Sequence, residues 1–174
     1  QLLHEWGIKG PYAVVRSLTT RAEWHCPARN CKFEYMQHAV NKLSMDMPVI
    51  EIGSQDGIRE TFDVGPYDNT YMAFTEGQLT LPIIAALCKK SAVTVTPSGF
   101  LQVLNLMFKA PTVVIYGGYT HPGTYHSDQL DYSQYFQVAP RNPCGCVMNH
   151  HNCNKEIPIE DINRAIDRAV WTLE

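Results

Sequence analysis

Two β-branched runs on either side of one helix-length apolar segment constrain the fold of this chain more than any other feature. The first run, residues 92–96, ends in a Pro-Ser-Gly turn, and the second, residues 112–116, stops at two glycines. This order predicts a strand, a turn, a helix over about 99–109 and a second strand, the repeating unit of a parallel α/β sheet. Ligands of open α/β sheets bind at the carboxyl ends of the strands, where the amino terminus of a helix attracts anions.

The rest of the chain continues this alternation of strands and helices. The further strands are predicted at about 11–17, 48–52, 71–74 and 135–139, and the further helices at about 33–45, 80–90 and 159–172. Residues 58–70 are ambiguous. A chain of 174 residues is long enough for one good core but short for two nucleotide-binding-type domains. We therefore predict one domain over residues 1–174, with a doubly wound parallel sheet of five or six strands.

Charge and composition exclude two classes of function. The formal net charge is −3, whereas a binder of nucleic acid or of anionic membranes needs a net basic face. A local basic cluster is not excluded by the net charge, because Arg16, Arg21, Arg29 and Lys32 all fall early in the chain. No run reaches the roughly 20 apolar residues of a transmembrane helix, and no signal peptide is visible. We expect a reduced, cytoplasmic protein with no transmembrane segment and no nucleic-acid partner.

Polar side chains follow two of the predicted strands. In a polar loop after the first strand, Thr19 and Thr20 offer hydroxyls and Arg21 a guanidinium, which together make a cradle for a diphosphate. In the Pro-Ser-Gly turn, Ser98 can cap the next helix and Gly99 permits close approach of a ligand, so that an anion or a sugar hydroxyl fits there. A plain strand-to-helix turn without a ligand is the alternative interpretation of the second motif.

The helix after this turn contains two amides in an otherwise apolar segment. Gln102 and Asn105 are three residues apart and therefore share one face of the helix. They either line the ligand cleft or mark the solvent side of the helix. Gln102 is retained as a candidate ligand-binding residue.

A cysteine-bearing loop precedes the final helix. Residues 144–153 hold three thiols and two imidazoles, which are ligands that tetrahedral zinc sites use. The spacing matches no standard zinc finger, so free thiols or a disulfide are the favoured interpretation and no metal site is assigned. A zinc-stabilised interaction domain built around this loop is an alternative.

Taken in order, these segments resemble the carboxyl-terminal domain of the family 9 glycosyltransferases, the lipopolysaccharide heptosyltransferase group. That family has a Thr-Thr-Arg-like loop, a Trp-Pro element, a strand with a Gly turn, a helix, an Asp-Ser/Thr-Gly-x-x-His turn, an apolar helix, a Pro-led strand and a late cysteine-bearing loop before a final helix. The counterparts here, which span nearly the whole chain, are Thr19-Thr20-Arg21, Trp24 with Pro27, Gly53, residues 79–90, 97–102, 111–117, 144–153 and 159–172.

The resemblance implies a Rossmann-like domain that forms half of a GT-B enzyme and binds a nucleotide diphosphate-sugar donor. It also implies a saccharide acceptor, and a catalytic base on an amino-terminal acceptor domain or partner chain that has no counterpart in these residues. GT-B catalysis usually needs no bound metal, so no metal and no cofactor are expected. The residues that the resemblance brings near the donor are Thr19, Thr20, Ser98 and Gly99 for its phosphates, Gln55 and Asp56 for its ribose, and Leu79 for its base.

Two departures from the family pattern bear on function. The family's turn aspartate is Pro97 here, and its histidine is Gln102. Proline has neither a charge nor an N–H group, and glutamine is never cationic. Both departures favour an alternative function, a non-catalytic assembly or regulatory module that kept the fold and lost the donor site.

Overall fold

The computed structural model describes residues 2–23, 26, 28–54, 60–62, 65–146 and 155–171. Within these residues, the α-helices are α1 (Leu2–Glu5), α2 (Phe33–Ser44), α3 (Leu81–Lys90), α4 (Phe100–Phe108) and α5 (Ile159–Trp171). The strands are β1 (Ala13–Arg16), β2 (Thr19–Arg21), β3 (Val49–Ile52), β4 (Glu60–Phe62), β5 (Met72–Phe74), β6 (Val93–Pro97), β7 (Thr112–Ile115) and β8 (Tyr135–Val138). Among the described residues, no helix combines the length and the apolar character that crossing a membrane requires.

Six of the strands form one sheet in the order β5-β3-β1-β6-β7-β8. Every neighbouring pair in this sheet is parallel. The chain starts in the middle with β1, adds β3 and β5 on one side, and then returns to add β6, β7 and β8 on the other. This is the doubly wound, Rossmann-like α/β sheet that the sequence predicts, and β1 and β6 meet where the strand order reverses.

Helices cover both faces of the sheet, which explains why its central strands are apolar along their whole length. In β1, Ala13 and Val15 belong to the core on one face and Val14 to the core on the other, and none of the three is exposed. Helices α2 and α5 pack on the first face, and α3 and α4 on the second. Each fully buried Val, Leu or Ile side chain stabilises such a core by about 1.5–3 kcal/mol.

The structure corrects the prediction for the segment between β1 and α2. Residues 19–21, predicted as part of a polar loop, are strand β2, which pairs antiparallel with β4 in a separate two-stranded sheet. The partner strand lies within residues 58–70, where the sequence is ambiguous. Strands of three residues are too short to display an alternation of apolar and polar residues, so their pairing depends on contacts distant in sequence.

Candidate functional site

A cleft opens at the carboxyl edge of the main sheet, where β1 and β6 lie side by side. Its volume of about 140 Å³ is room for a phosphate group or several waters. The crevice at the point where strand order reverses is where open α/β sheets bind ligands. The lining comes from the segment after β1, the loop before α2, and the turn between β6 and α4: Arg16, Ser17, Thr19, Arg21, Arg29, Asn30, Thr96, Pro97, Ser98, Gly99, Phe100 and Leu101.

Four of the predicted ligand-binding residues line this cleft, namely Thr19, Arg21, Ser98 and Gly99. Their convergence follows from the parallel sheet, because the segments after β1 and β6 leave the sheet at the same edge. Thr20 is absent from the lining. Since alternate residues of a strand point to opposite sides, Thr20 faces away from its two neighbours in β2.

Leu79, predicted to lie near the base, does not line the cleft. Leu79 is partly buried and packs against the apolar core beneath α3. Gln55 and Asp56 lie outside the described residues. Of the three residues expected near the ribose and the base, the structure thus describes only Leu79.

Three arginines among the described residues line the cleft: Arg16, Arg21 and Arg29. Arg16 donates from Nη2 to Ser54 Oγ at 3.3 Å, just past the end of β3. Arg21 lies 3.8 Å from the carboxylate of Glu23, and both side chains are more than half exposed. Exposed pairs of this kind contribute about 0–1 kcal/mol, so the Arg21 guanidinium is available to a stronger anionic partner. The described lining contains no acidic side chain, and its charge attracts anions.

The turn between β6 and α4 presents hydrogen-bond donors to the cleft. Gly99 occupies the cap position of α4, so the expectation that Ser98 caps this helix is wrong. The turn is closed by Gln102, whose Oε1 accepts from the Gly99 N–H at 3.2 Å. Ser98 is only 3 % exposed, lines the cleft, and makes no hydrogen bond within the described part of the chain. Its hydroxyl and the first N–H groups of α4, which have no partner in the helix, are available to an anion.

The two amides of α4 are core residues. Gln102 is 1 % exposed and Asn105 is 0 % exposed, so the expectation that they mark the solvent side of the helix is wrong. Gln102 Nε2 donates to Tyr116 Oη at 3.0 Å, which uses the second end of its amide. Neither residue is part of the cleft lining. Gln102 thus holds the turn and the end of β7 together.

Close packing fixes the segment that carries Arg29. The main chain of residues 28–30 passes so near Gly117 that an added Cβ would lie 2.3 Å from Asn30 O and 2.5 Å from Ala28 O. The N–H of Tyr119 donates to Ala28 O at 2.9 Å. Only glycine fits at position 117, and its absent side chain lets this segment form one wall of the cleft.

The same segment is also held by hydrogen bonds to other parts of the chain. Asn30 Nδ2 donates to Thr19 O at 3.1 Å, and Lys155 Nζ donates to Asn30 O at 2.8 Å. Next to Lys155, the Glu156 carboxylate accepts from Lys32 and, at 2.8 Å, from Tyr35 Oη. These two hydrogen bonds lower the pKa of Glu156. Of the early basic residues, Lys32 is therefore engaged with Glu156 and does not line the cleft.

A buried carboxyl group lies beneath the cleft. Glu51, in β3, is 0 % exposed. Its Oε1 accepts from Ser17 Oγ at 2.7 Å, and its Oε2 accepts from the N–H of Tyr67 at 3.2 Å. Burial raises the pKa of Glu51, and the two hydrogen bonds offset part of that rise. The protonation of Glu51 is thus coupled to Ser17, a residue of the cleft lining.

We expect the Glu51 carboxyl to make stability depend on pH. Its pKa is raised in the folded protein above the ordinary value of 4.5, so its contribution to the free energy of unfolding is fully present below about pH 4.5 and is lost as pH rises through the folded-state pKa. Glu51→Gln keeps an oxygen for Ser17 and does not ionise. Urea unfolding at a series of pH values is expected to show wild type losing stability relative to Glu51→Gln as pH rises. A pH-independent difference would contradict this.

The described start of the cysteine-bearing loop lies beside the cleft wall. The N–H of Gly145 donates to Gly118 O at 3.0 Å, and Cys26 Sγ lies 3.6 Å from Cys146 O. Across the described ranges, no group of three or more His, Cys, Asp and Glu side chains stands close enough to hold a metal ion. Residues 150–153, the remainder of the suggested zinc cluster, lie outside the described residues.

No protein-family model matches this chain, and no curated protein sequence matches it. Several solved structures do. The iron-containing dodecameric glycosyltransferase TibC from enterotoxigenic E. coli H10407 matches with a TM-score of 0.62 and 16% identity, over 96% of this chain and 47% of its own. TibC in complex with ADP-D-beta-D-heptose matches with a TM-score of 0.65 and 16% identity, over 96% of this chain and 47% of its own. The E. coli ADP-heptose lps heptosyltransferase II matches with a TM-score of 0.63 and 11% identity, over 98% of this chain and 50% of its own.

These similarities establish the fold. The chain has the α/β fold of a heptosyltransferase domain and spans about half the length of the structures that it matches. The resemblance detected in the sequence is confirmed at this level.

Proposed function

We propose that this chain is the carboxyl-terminal, donor-binding domain of a GT-B glycosyltransferase that moves a sugar from a nucleotide diphosphate-sugar to a saccharide acceptor. The observation that carries the proposal is the cleft between β1 and β6, whose described lining has three arginines, the amino terminus of α4 and no acidic side chain. The shared fold supports it, since one structure with this fold is a heptosyltransferase in complex with ADP-D-beta-D-heptose.

The donor diphosphate would lie across the cleft, between β2 on one side and the turn before α4 on the other. Transfer breaks the bond between the anomeric carbon and the terminal phosphate oxygen, and the departing nucleoside diphosphate takes up the electron pair. Guanidinium groups and main-chain N–H groups fixed around that oxygen stabilise the developing charge. The acceptor hydroxyl forms the new bond to the anomeric carbon and gives its proton to a general base.

The proposal includes partners and a location. The acceptor and the general base belong to an amino-terminal acceptor domain or partner chain, which accords with the roughly half-length match to the known enzymes. We propose a cytoplasmic location, in keeping with the buried Cys26 and Cys88, which form no disulfide within the described residues.

Nucleotide titration tests the proposal. We expect calorimetry to detect weak binding of ADP, GDP or UDP to the chain, because the cleft donates charge-assisted hydrogen bonds to phosphate oxygens. Such contacts are worth roughly 1.5–3 kcal/mol each, so Arg21→Ala is expected to weaken binding about tenfold or more. Arg164→Ala is the matched control, since it also removes one positive charge, at an exposed arginine outside the cleft lining. Binding that is equal in wild type and Arg21→Ala would contradict the proposed site.

The second candidate is a non-catalytic assembly or regulatory module. The observation that favours it is the burial of Gln102, which stands where the family has a histidine. Its amide oxygen accepts a hydrogen bond from the Gly99 N–H, and its amide nitrogen donates one to Tyr116. Failure of all three nucleotides to bind would support this candidate over the first.

A further inference from the structure

The position of the Arg29 guanidinium depends on the glycine at position 99. A Cβ added at Gly99 would lie 2.9 Å from Arg29 Nη2. The guanidinium therefore occupies the space in which any other residue at position 99 would begin its side chain. This contact brings a cation from the loop before α2 to the amino terminus of α4.

Several donors meet at this end of the cleft. Besides the Arg29 guanidinium, it contains the Ser98 hydroxyl, which is 3 % exposed and has no partner within the described ranges. The first N–H groups of α4 are also donors here, because helix N–H groups point toward the amino terminus and the first ones have no internal partner. The turn itself carries no charge, since Pro97, Ser98, Gly99 and Gln102 are all neutral. Arg29 is thus the arginine in contact with this turn, whereas Arg16 and Arg21 belong to β1 and β2.

The geometry points to Arg29 as the residue that binds the terminal phosphate of the donor diphosphate, with Gly99 as the residue that seats its guanidinium. This inference rests on the proposed function. The terminal phosphate carries one negative charge in the donor and gains further charge when its bond to the sugar breaks. It is best accommodated where a guanidinium and a helix amino terminus act together. The inner phosphate then lies toward Thr19 and Arg21.

Comparison of ADP with AMP tests this assignment in the full chain. Arg29→Ala is expected to weaken the binding of ADP and of inorganic pyrophosphate about tenfold or more. The affinity for AMP is expected to change by less than about twofold. AMP has only the inner phosphate, to which Arg29 makes no charge-assisted hydrogen bond in this assignment. Arg29→Lys keeps the charge without the bidentate geometry and is expected to retain part of the ADP affinity. A merely structural role of Arg29 would not change the ratio of ADP to AMP affinity.

Arg164→Ala is the matched control. Arg164 is an exposed arginine of α5, paired with Asp161 at 3.2 Å, and lies outside the cleft lining. Its removal changes the net charge as Arg29→Ala does, and it is expected to leave all affinities within about twofold. Thermal unfolding of each variant establishes that it is folded at the titration temperature.

Gly99→Ala tests the seating of the guanidinium. The added Cβ is expected to displace Arg29 and to weaken ADP binding. In an Arg29→Ala background the same substitution is expected to cause a clearly smaller loss, which comes only from the backbone strain of alanine at a φ of +158°. Additive losses would overturn the coupling between the two residues.

The outcomes separate this inference from the proposed function. If wild type binds neither nucleoside diphosphates nor pyrophosphate, the proposed function fails and the inference fails with it. If wild type binds ADP and Arg29→Ala binds it equally well, the inference is overturned while the donor site stands. If Arg29→Ala weakens ADP and AMP equally, Arg29 does not select the terminal phosphate, and the inference is again overturned.

Discussion

Substitution of Gly117 by alanine is expected to destabilise the protein by about 3 kcal/mol or more. The added Cβ would lie 2.3 Å from Asn30 O and 2.5 Å from Ala28 O. Both are main-chain atoms, which cannot rotate away as the end of a flexible side chain could. The clash is relieved only if residues 28–30 move. That movement would break their hydrogen bonds to Tyr119 and Lys155. For a chain of this size, about 3 kcal/mol lowers Tm by roughly 6–12 °C.

Gly10→Ala is the control for this prediction. A Cβ added at Gly10 meets no atom within 4 Å, so the expected change in the free energy of unfolding is within about 0.5 kcal/mol. Thermal and urea unfolding of the two variants measure the difference directly. If Gly117→Ala were as mild as Gly10→Ala, the 28–30 segment would not be packed against the end of β7 as described.

The main sheet was predictable because its strands are buried on both faces. Residues 93–97 and 112–115 are apolar or β-branched along their length, and each is followed by a turn with glycine. Such runs indicate strands whatever their neighbours are, and their alternation with helices determines a parallel, doubly wound sheet. The β2–β4 pair was missed because its strands have only three residues each and β2 is not buried in the main core, so no local pattern marks it.

The candidate site was predictable only where it follows from strand ends. Thr19, Arg21, Ser98 and Gly99 come directly after β1 or at the end of β6, and the parallel sheet brings such residues to one edge. Arg29 is different. It lies in a loop whose position depends on the absent side chain of Gly117, a contact between residues far apart in sequence. The sequence placed Arg29 in a possible basic cluster but gave no reason to bring it to the turn before α4.

The position of Gln102 could not be inferred from helix spacing alone. The spacing indicates correctly that Gln102 and Asn105 share a face, but an amide pair on an apolar helix is compatible with either solvent or cleft. The partner that decides between them is Tyr116 Oη, at the end of β7, together with the N–H of Gly99. Polar groups buried with such partners are core residues, and the identity of the partner is visible only in three dimensions.

We expect the chain alone to bind a nucleoside diphosphate without transferring sugar. Transfer requires a general base at the acceptor hydroxyl, and such a base contributes about 10²–10⁴-fold to the rate. Among the described residues that line the cleft, none is acidic. Glu51, the buried carboxyl beneath the cleft, accepts hydrogen bonds from Ser17 and Tyr67 and has no exposed surface. No carboxylate of the described cleft lining is therefore positioned to reach an acceptor.

Release of nucleotide from ADP-D-beta-D-heptose, GDP-sugars and UDP-sugars in the presence of saccharide acceptors measures this. The control is calorimetric binding of the same nucleoside diphosphates, which shows that the donor site is intact in the protein assayed. Binding without transfer agrees with a base outside this chain. Transfer by the chain alone, abolished by Arg21→Ala, would keep the donor site but overturn the placement of the base.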